Sequence, residues 1–251
     1  MKRNLFAWLI FLALTFMVWE GALALKLVSP AALAHPGEVV RALPKVLSIS
    51  GNLPDVWSTI SRSALAFAIS VPIGLVVGFL IFFGGGARQP AEFLLDFLRS
   101  IPATALVPVF LIIYGIGDTT KIAVGAFSSS LVICLATLAG LHGRSSTRLG
   151  VARTLGLTGV KRMVLLDLPE AAPHLFLGMR TGISLALILV VVREMLIGSN
   201  RGLGKVIADM RYTDDTPRLY AAIVVAGAIG YFYNALVAFA EQRLVHWRGR
   251  Q

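Results

Sequence analysis

Apolar residues fall along this chain in long unbroken runs, not in alternation. The runs cover about Leu5 to Leu25, Trp57 to Phe83, Phe93 to Gly115, Ile122 to Leu141, Leu175 to Ile197 and Leu219 to Ala240. Each is close to the roughly 20 residues that carry a helix across a bilayer. Continuous runs predict helices, since barrel strands would alternate apolar and polar positions. The pattern predicts an all-α polytopic membrane protein of about six transmembrane helices, folded as one transmembrane domain over residues 1–251. An even number of spans places both termini on one side.

Two stretches between the runs are too polar to cross. In residues 26–56, Pro30, Pro36 and Pro54 punctuate the chain, and Val39, Val40, Leu43, Val46 and Leu47 recur at helical spacing. That spacing predicts a short amphipathic helix on the outer membrane face. In residues 142–173, Leu149, Ala152 and Leu155 form one stripe, and Gly156 interrupts it as a helix C-terminal glycine would. Thr158 can cap a second helix carrying Val160, Val164 and Leu168, which Pro169 is expected to end. The result is a helix–turn–helix hairpin outside the bilayer. Its apolar face has no use in a solvated linker but fits a partner's groove.

Composition narrows the class. Of 251 residues, 57% are hydrophobic and 14% charged, against about 25% charged in soluble domains. Mean hydropathy is +0.79. These values exclude a disordered chain, a nucleic-acid-binding domain and a typical soluble enzyme. The net charge of +10 fits Lys and Arg enrichment in cytoplasmic loops, and their distribution leans towards cytoplasmic termini. Lys2-Arg3, the first apolar run and Ala22-Leu23-Ala24 also have the form of a secretory signal. A retained anchor gives six spans; a cleaved signal gives five and an outside N-terminus. Cys134 is the sole cysteine, and His35, His142, His174 and His246 share no ligand spacing, so no metal and no cofactor is expected.

Glu20, Arg62, Arg99, Arg180, Arg193 and Glu194 place charge inside or near the spans. Such residues usually face a protein interior or a water-filled cavity. Arg99, Arg180, Arg193 and Glu194 are candidates for a solute pathway, and guanidinium groups suit oxyanions. Arg62 and Arg99 near span ends are expected to snorkel. Arg193 and Glu194 project about 100° apart and are poor partners for each other. Gly74/Gly78 and Gly178/Gly182 permit close helix approach. Ser128-Ser129-Ser130 either line a polar path or bond to their own helix. The stretch from Gly198 to Val206 nearly matches a phosphate-binding loop, but Ser199 stands for the first glycine and Val206 for the hydroxyl residue. No nucleotide site is expected there.

The spacing in the longest inner loop resembles the signature of bacterial ABC-importer permeases: E-A-A, three residues, G, nine residues, I, one residue, L-P. Gly150-Val151-Ala152 occupies the E-A-A positions, Gly156 the glycine, Leu166 the isoleucine and Leu168-Pro169 the L-P. The Glu and the first Ala are replaced, while the glycine-to-proline spacing is kept. Nearly the whole chain is similar to permeases of the nitrate, taurine, aliphatic-sulfonate and bicarbonate type. Val28-Ser29-Pro30, Arg99-Ser100-Ile101-Pro102 with Pro108, Tyr114-Gly115-Ile116-Gly117, Val192-Arg193-Glu194-Met195 and Gly202-Leu203-Gly204 follow the family's order.

The resemblance implies a type I importer fold in a bacterial inner membrane, with cytoplasmic termini and no catalytic residues of its own. It implies a second permease copy, two ATPase subunits and an extracytoplasmic binding protein as partners. Gly150, Ala152, Leu155, Gly156, Leu166, Leu168 and Pro169 are then the ATPase-coupling residues. The solute is expected to be a small oxyanion; related permeases also serve pyrimidine or flavin precursors. An intramembrane enzyme would need clustered His, Asp or Ser, and a secondary transporter would more plausibly show repeats or broken spans.

Overall fold

A computed structural model describes residues 2–29, 32–196 and 199–245. Expectations that touch Pro30, Ile197, Gly198, His246, Arg248 and Arg250 lie outside the described residues. Every regular element among the described residues is helical. α3 (Leu53–Phe83), α6 (Asp118–His142), the continuous stretch Gly159–Met195 and α11 (Thr216–Leu244) are each long and apolar enough to cross a membrane. α1 (Lys2–Ala24) covers the expected first span.

The expected third span is not one straight helix. α4 (Arg88–Ser100) and α5 (Val107–Tyr114), with a short 3-10 turn at Ala103–Leu106, meet at an 89° bend. Pro102 is the cause: it offers no backbone donor and forces Ile101 into an extended conformation, φ −75° and ψ 123°. Pro108 sits in the first turn of α5, where a missing N–H is harmless.

α6 is the centre of the bundle, held between α3 and α9 (Leu168–Met195). Glycines set the distance. A Cβ on Gly74 would lie 2.7 Å from that of Ile133, one on Gly78 2.6 Å from that of Thr137, and one on Gly178 2.3 Å from that of Ala136. Both small-residue motifs therefore face α6, on neighbouring faces that share Ile133. Close approach lets Ser129 Oγ donate across helices to Gly182 O at 2.7 Å, whereas Ser130 bonds back to Phe127 O in its own helix. Gly178→Leu is expected to cost at least about 1–3 kcal/mol by overpacking. That loss reads as a lower unfolding temperature of the detergent-solubilised protein. Gly227→Leu, at a position with nothing within 4 Å, should leave it nearly unchanged.

The expected outer helix is α2 (Pro36–Leu47). Val39, Ala42 and Val46 are buried in a cluster with Ala221, Ala222 and Val225 of α11, while Val40 and Leu47 are exposed. Trp19 Nε1 donates to Ala34 O at 3.0 Å and Tyr220 Oη to Ala32 O at 3.0 Å, tying the preceding segment to α1 and α11.

The hairpin expected over residues 142–173 corrects one boundary. α7 (Ser146–Thr154) and α8 (Gly159–Arg162) form as expected, but Pro169 does not end the second helix. Helical structure runs from Gly159 to Met195. Met163–Asp167 form a π turn in which Leu168 N–H donates to Met163 O. The wider turn relieves the clash between the proline ring and the preceding carbonyl, so Pro169 enters α9 in its first turn, where no donor is missed.

Candidate functional site

The hairpin is built by local chemistry. Ser145 caps α7 by accepting from Arg148 N at 3.4 Å. At the other end Gly156 has φ +67°. Leu157 N donates to Ala152 O at 2.9 Å and Gly156 N to Arg153 O at 3.0 Å, the two bonds of a Schellman stop. Thr158 holds the N-cap position of α8 without a side-chain bond.

Charge then fixes the hairpin to the bundle. Asp167, fully buried, is paired with Arg144 and with Arg162 Nε at 3.2 Å. Arg144 and Arg88 stack over the Phe82 ring at 4.5 and 4.6 Å, and Arg162 over Phe83 at 5.5 Å. Glu170 accepts from Ser145 N at 3.1 Å and pairs with Arg148 at 3.0 Å. Sequence reading missed Asp167; its signal was a lone carboxylate between two leucines, within reach of basic residues on both sides.

The expected coupling residues divide between two faces. Ala152 is buried against the bundle, and Leu166 and Pro169 are half-buried. Gly150, Leu155, Gly156 and Leu168 are exposed, together with Val151, Val160, Val164 and Leu165. Rigid attachment on one side and an apolar surface on the other are the properties of a docking element.

At the opposite end of the bundle lies a second charged cluster. Glu194 is fully buried at the end of α9. It accepts from Arg62 Nη1 at 2.7 Å, Thr59 Oγ1 at 2.7 Å and Gly204 N at 3.1 Å. Arg62 Nη1 also donates to Arg201 O at 2.8 Å, and its Nε lies 2.9 Å from Asp118 Oδ1. Arg62 therefore does not snorkel: the loop before α10 (Leu203–Tyr212) closes over it. Glycines make that closure possible. A Cβ on Gly202, at φ +138°, would lie 2.2 Å from Glu194 Cδ, and one on Gly204 2.1 Å from Val191 O.

The same contacts dispose of the near-match to a phosphate loop. Gly202 N donates to Asp55 Oδ1 at 2.9 Å, Leu203 N to Thr59 Oγ1 at 2.8 Å and Gly204 N to Glu194. The amides that would cradle a phosphate already hold the protein's own carboxylates and a hydroxyl.

The four pathway candidates do not form one cluster. Arg193 is buried and Glu194 is held as described. Arg180 lies 3.5 Å from Glu241 and lines an open groove with Tyr231, Asn234 and Gln242. Arg99, whose side chain is 60% exposed, stands beside the bend of the third span and pairs with Asp96 at 3.1 Å. It borders a cleft of 240 Å³ that also takes in Ile101, Pro102 and Ser128.

A helical bundle with a bent third span and a helical hairpin has counterparts among solved transporters. The fold is similar to that of the MetNI methionine ABC transporter in inward-facing conformations, with a TM-score of 0.65 and 21% identity, covering 79% of this chain and 96% of that one. Residues 70–246 match the family described as "binding-protein-dependent transport system inner membrane component", and the chain belongs to that family. A "Probable ABC transporter permease protein" of Brucella abortus (strain 2308) is 30% identical over 239 residues, 94% of this chain and 95% of that protein. The "Putative aliphatic sulfonates transport permease protein SsuC" of Bacillus subtilis (strain 168) is 29% identical over 250 residues, 98% of this chain and 90% of that protein. The "Taurine transport system permease protein TauC" of Escherichia coli is 26% identical over 243 residues, 95% and 88% of the two. This protein is accordingly an ABC-transporter permease, a membrane-spanning transport subunit.

Proposed function

We propose that this permease imports a small oxyanion of the sulfonate or taurine type, driven by ATP hydrolysis in a separate partner chain. The whole chain acts as one transmembrane domain, paired with a second copy, and an extracytoplasmic binding protein delivers solute from the outer side. The hairpin over residues 142–173 seats in a groove of the ATPase subunit on the cytoplasmic side, and both termini lie on that side. The observation that carries this reading is the hairpin itself. Val151, Leu155, Val160 and Leu165 expose an apolar surface on an element clamped to α6 through Arg144, Asp167 and Arg162. A partner that moves when it binds ATP pulls on that surface, and the Asp167 clamp carries the displacement into α6 and α9.

Solute class is supported by the names of the two relatives that carry sulfonates and taurine. A second reading, a pyrimidine precursor, is favoured by the "Formylaminopyrimidine transport permease protein ThiX" of Halalkalibacterium halodurans, 26% identical over 244 residues. ATP-dependent uptake of labelled taurine or ethanesulfonate, rather than of formylaminopyrimidine, by cells co-expressing the partner subunits separates the two.

Orientation is tested with Ser146→Cys in a Cys134→Ala background. Ser146 is exposed at the start of α7. In intact cells an impermeant maleimide should leave it unlabelled, and permeabilisation should label it. Labelling from outside reverses the topology and removes the docking role.

A further inference from the structure

Arg99 is not at a span end. α4 runs antiparallel to α6: His142 Nε2 lies 3.4 Å from Glu92, Leu95 packs with Cys134 and Leu138, and Arg99 shares its cleft with Phe127, Ser128 and Val132. Ser128 and Val132 are each ten residues from an end of α6. At 1.5 Å per residue α6 is about 37 Å long, so Arg99 lies level with the middle of the α6 span. One side-chain length does not reach either interface, which excludes snorkelling.

A charge at that depth does not face lipid; it faces protein or water. The side chain is 60% exposed and that of its partner Asp96 is 59% exposed. A second, independent observation likewise argues against lipid. The backbone at Ile101–Pro102 is non-helical at the same level, and irregular backbone at membrane depth occurs where it is buried in protein or lines a water-filled cavity. Here it borders an open cleft of 240 Å³. The walls are mainly apolar, and Arg99 is the only charged residue among the described residues that line them. An exposed pair such as Arg99–Asp96 is weak, and an incoming oxyanion can take the guanidinium from it. The planar fork of donors matches two oxygens of a sulfonate or carboxylate at once.

We propose that Arg99 is the anion-recognition residue of the pathway. Its guanidinium contacts the oxyanion group of the solute at the bend of the third span and sets preference for anions over neutral solutes. This rests on the oxyanion-importer reading above.

The test uses the full importer in proteoliposomes, with permease Cys134→Ala/Arg99→Cys, its ATPase and its binding protein, and labelled taurine and ethanesulfonate as solutes. Uptake by Arg99→Cys should fall at least roughly tenfold, with the complex intact. Modification with aminoethyl methanethiosulfonate, which restores a positive charge, should recover uptake. The sulfonatoethyl reagent should react but not recover it. The assignment is overturned if Arg99→Cys transports at the parental rate, if both reagents restore it equally, or if neither reacts with and without ATP. In those cases sulfonate uptake by the parent still upholds the importer reading. A parent that carries only neutral solutes overturns both. If Arg99→Cys does not assemble, Arg99→Lys and Arg99→Gln are compared. Uptake kept by Lys and lost by Gln supports the assignment; equal uptake by both at equal assembly overturns it.

Discussion

Glu194→Ala should nearly abolish accumulation of the folded permease. The substitution leaves the Arg62 guanidinium, 8% exposed, without its 2.7 Å partner, and leaves the Thr59 hydroxyl and Gly204 amide without their shared acceptor. Breaking one side of a buried ion pair costs about 3–5 kcal/mol, a large share of the roughly 5–15 kcal/mol that holds a domain together. The loss is not local, because the cluster joins α3, α9 and the loop before α10, and reaches Asp118 at the start of α6. Membrane-fraction abundance and the unfolding temperature of the solubilised protein read the effect. Glu194→Gln keeps the shape and two hydrogen-bonding oxygen sites' worth of volume but only one acceptor, and should be less severe. Arg62→Met with Glu194→Met should recover part of the loss, since no lone charge stays buried. Wild-type abundance and an unchanged unfolding temperature in Glu194→Ala would show that the cluster contributes little.

The second large effect is functional. Gly156→Val should reach the membrane at near-normal level yet lose both transport and co-purification with the ATPase. Nothing lies within 4 Å of a Cβ at this position, so the change acts through the backbone. Gly156 has φ +67°, and the left-handed region costs a non-glycine residue about 1–2 kcal/mol, with β-branched side chains tolerated worst. Relaxing that angle breaks the paired bonds from Gly156 and Leu157 to Arg153 and Ala152, and α7 changes direction relative to α8. The spans are untouched, so insertion is spared. Gly150 is the internal control. It also has open space around it, but its φ is not positive, so Gly150→Glu should be tolerated. Full transport and ATPase binding by Gly156→Val would remove the docking role from the hairpin.

Much of this was legible in the sequence because it is local. The long helices α3, α6, α9 and α11 follow from apolar run length, which the bilayer thickness fixes whatever the neighbours are. The turn at Gly156 follows from a glycine between two short helical stripes. The small-residue motifs announced close approach, though not that both face α6. Pro102 and Pro108 were noted as parts of a motif, yet the 89° bend they permit was read as an unbroken run, because hydropathy does not register a change of direction. Pro169 was read as a stop for the same kind of reason: the π turn at Met163–Asp167 that accommodates it has no compositional mark.

What only the tertiary structure decided is which distant residues meet. Arg62 and Glu194 are 132 positions apart. From the sequence Arg62 was a charge near a span end and Glu194 a candidate for the solute pathway, and the nearest opposite charge to Glu194 was Arg193, which points elsewhere. Folding brings the α3 and α9 ends under one glycine loop, where the buried Glu194 carboxylate takes Arg62 as its ion-pair partner. Asp167 gained its role in the same way, from Arg144 at the end of α6. Arg99 shows the reverse case. Its residue type and motif were plain, but its depth was set by the register of α4 against α6, and depth decides whether a guanidinium snorkels or faces the solute's path. Sequence determined the elements, since periodicity and turn chemistry act within a few residues; packing determined the environments of the charges, since dielectric and partners are properties of the assembled bundle.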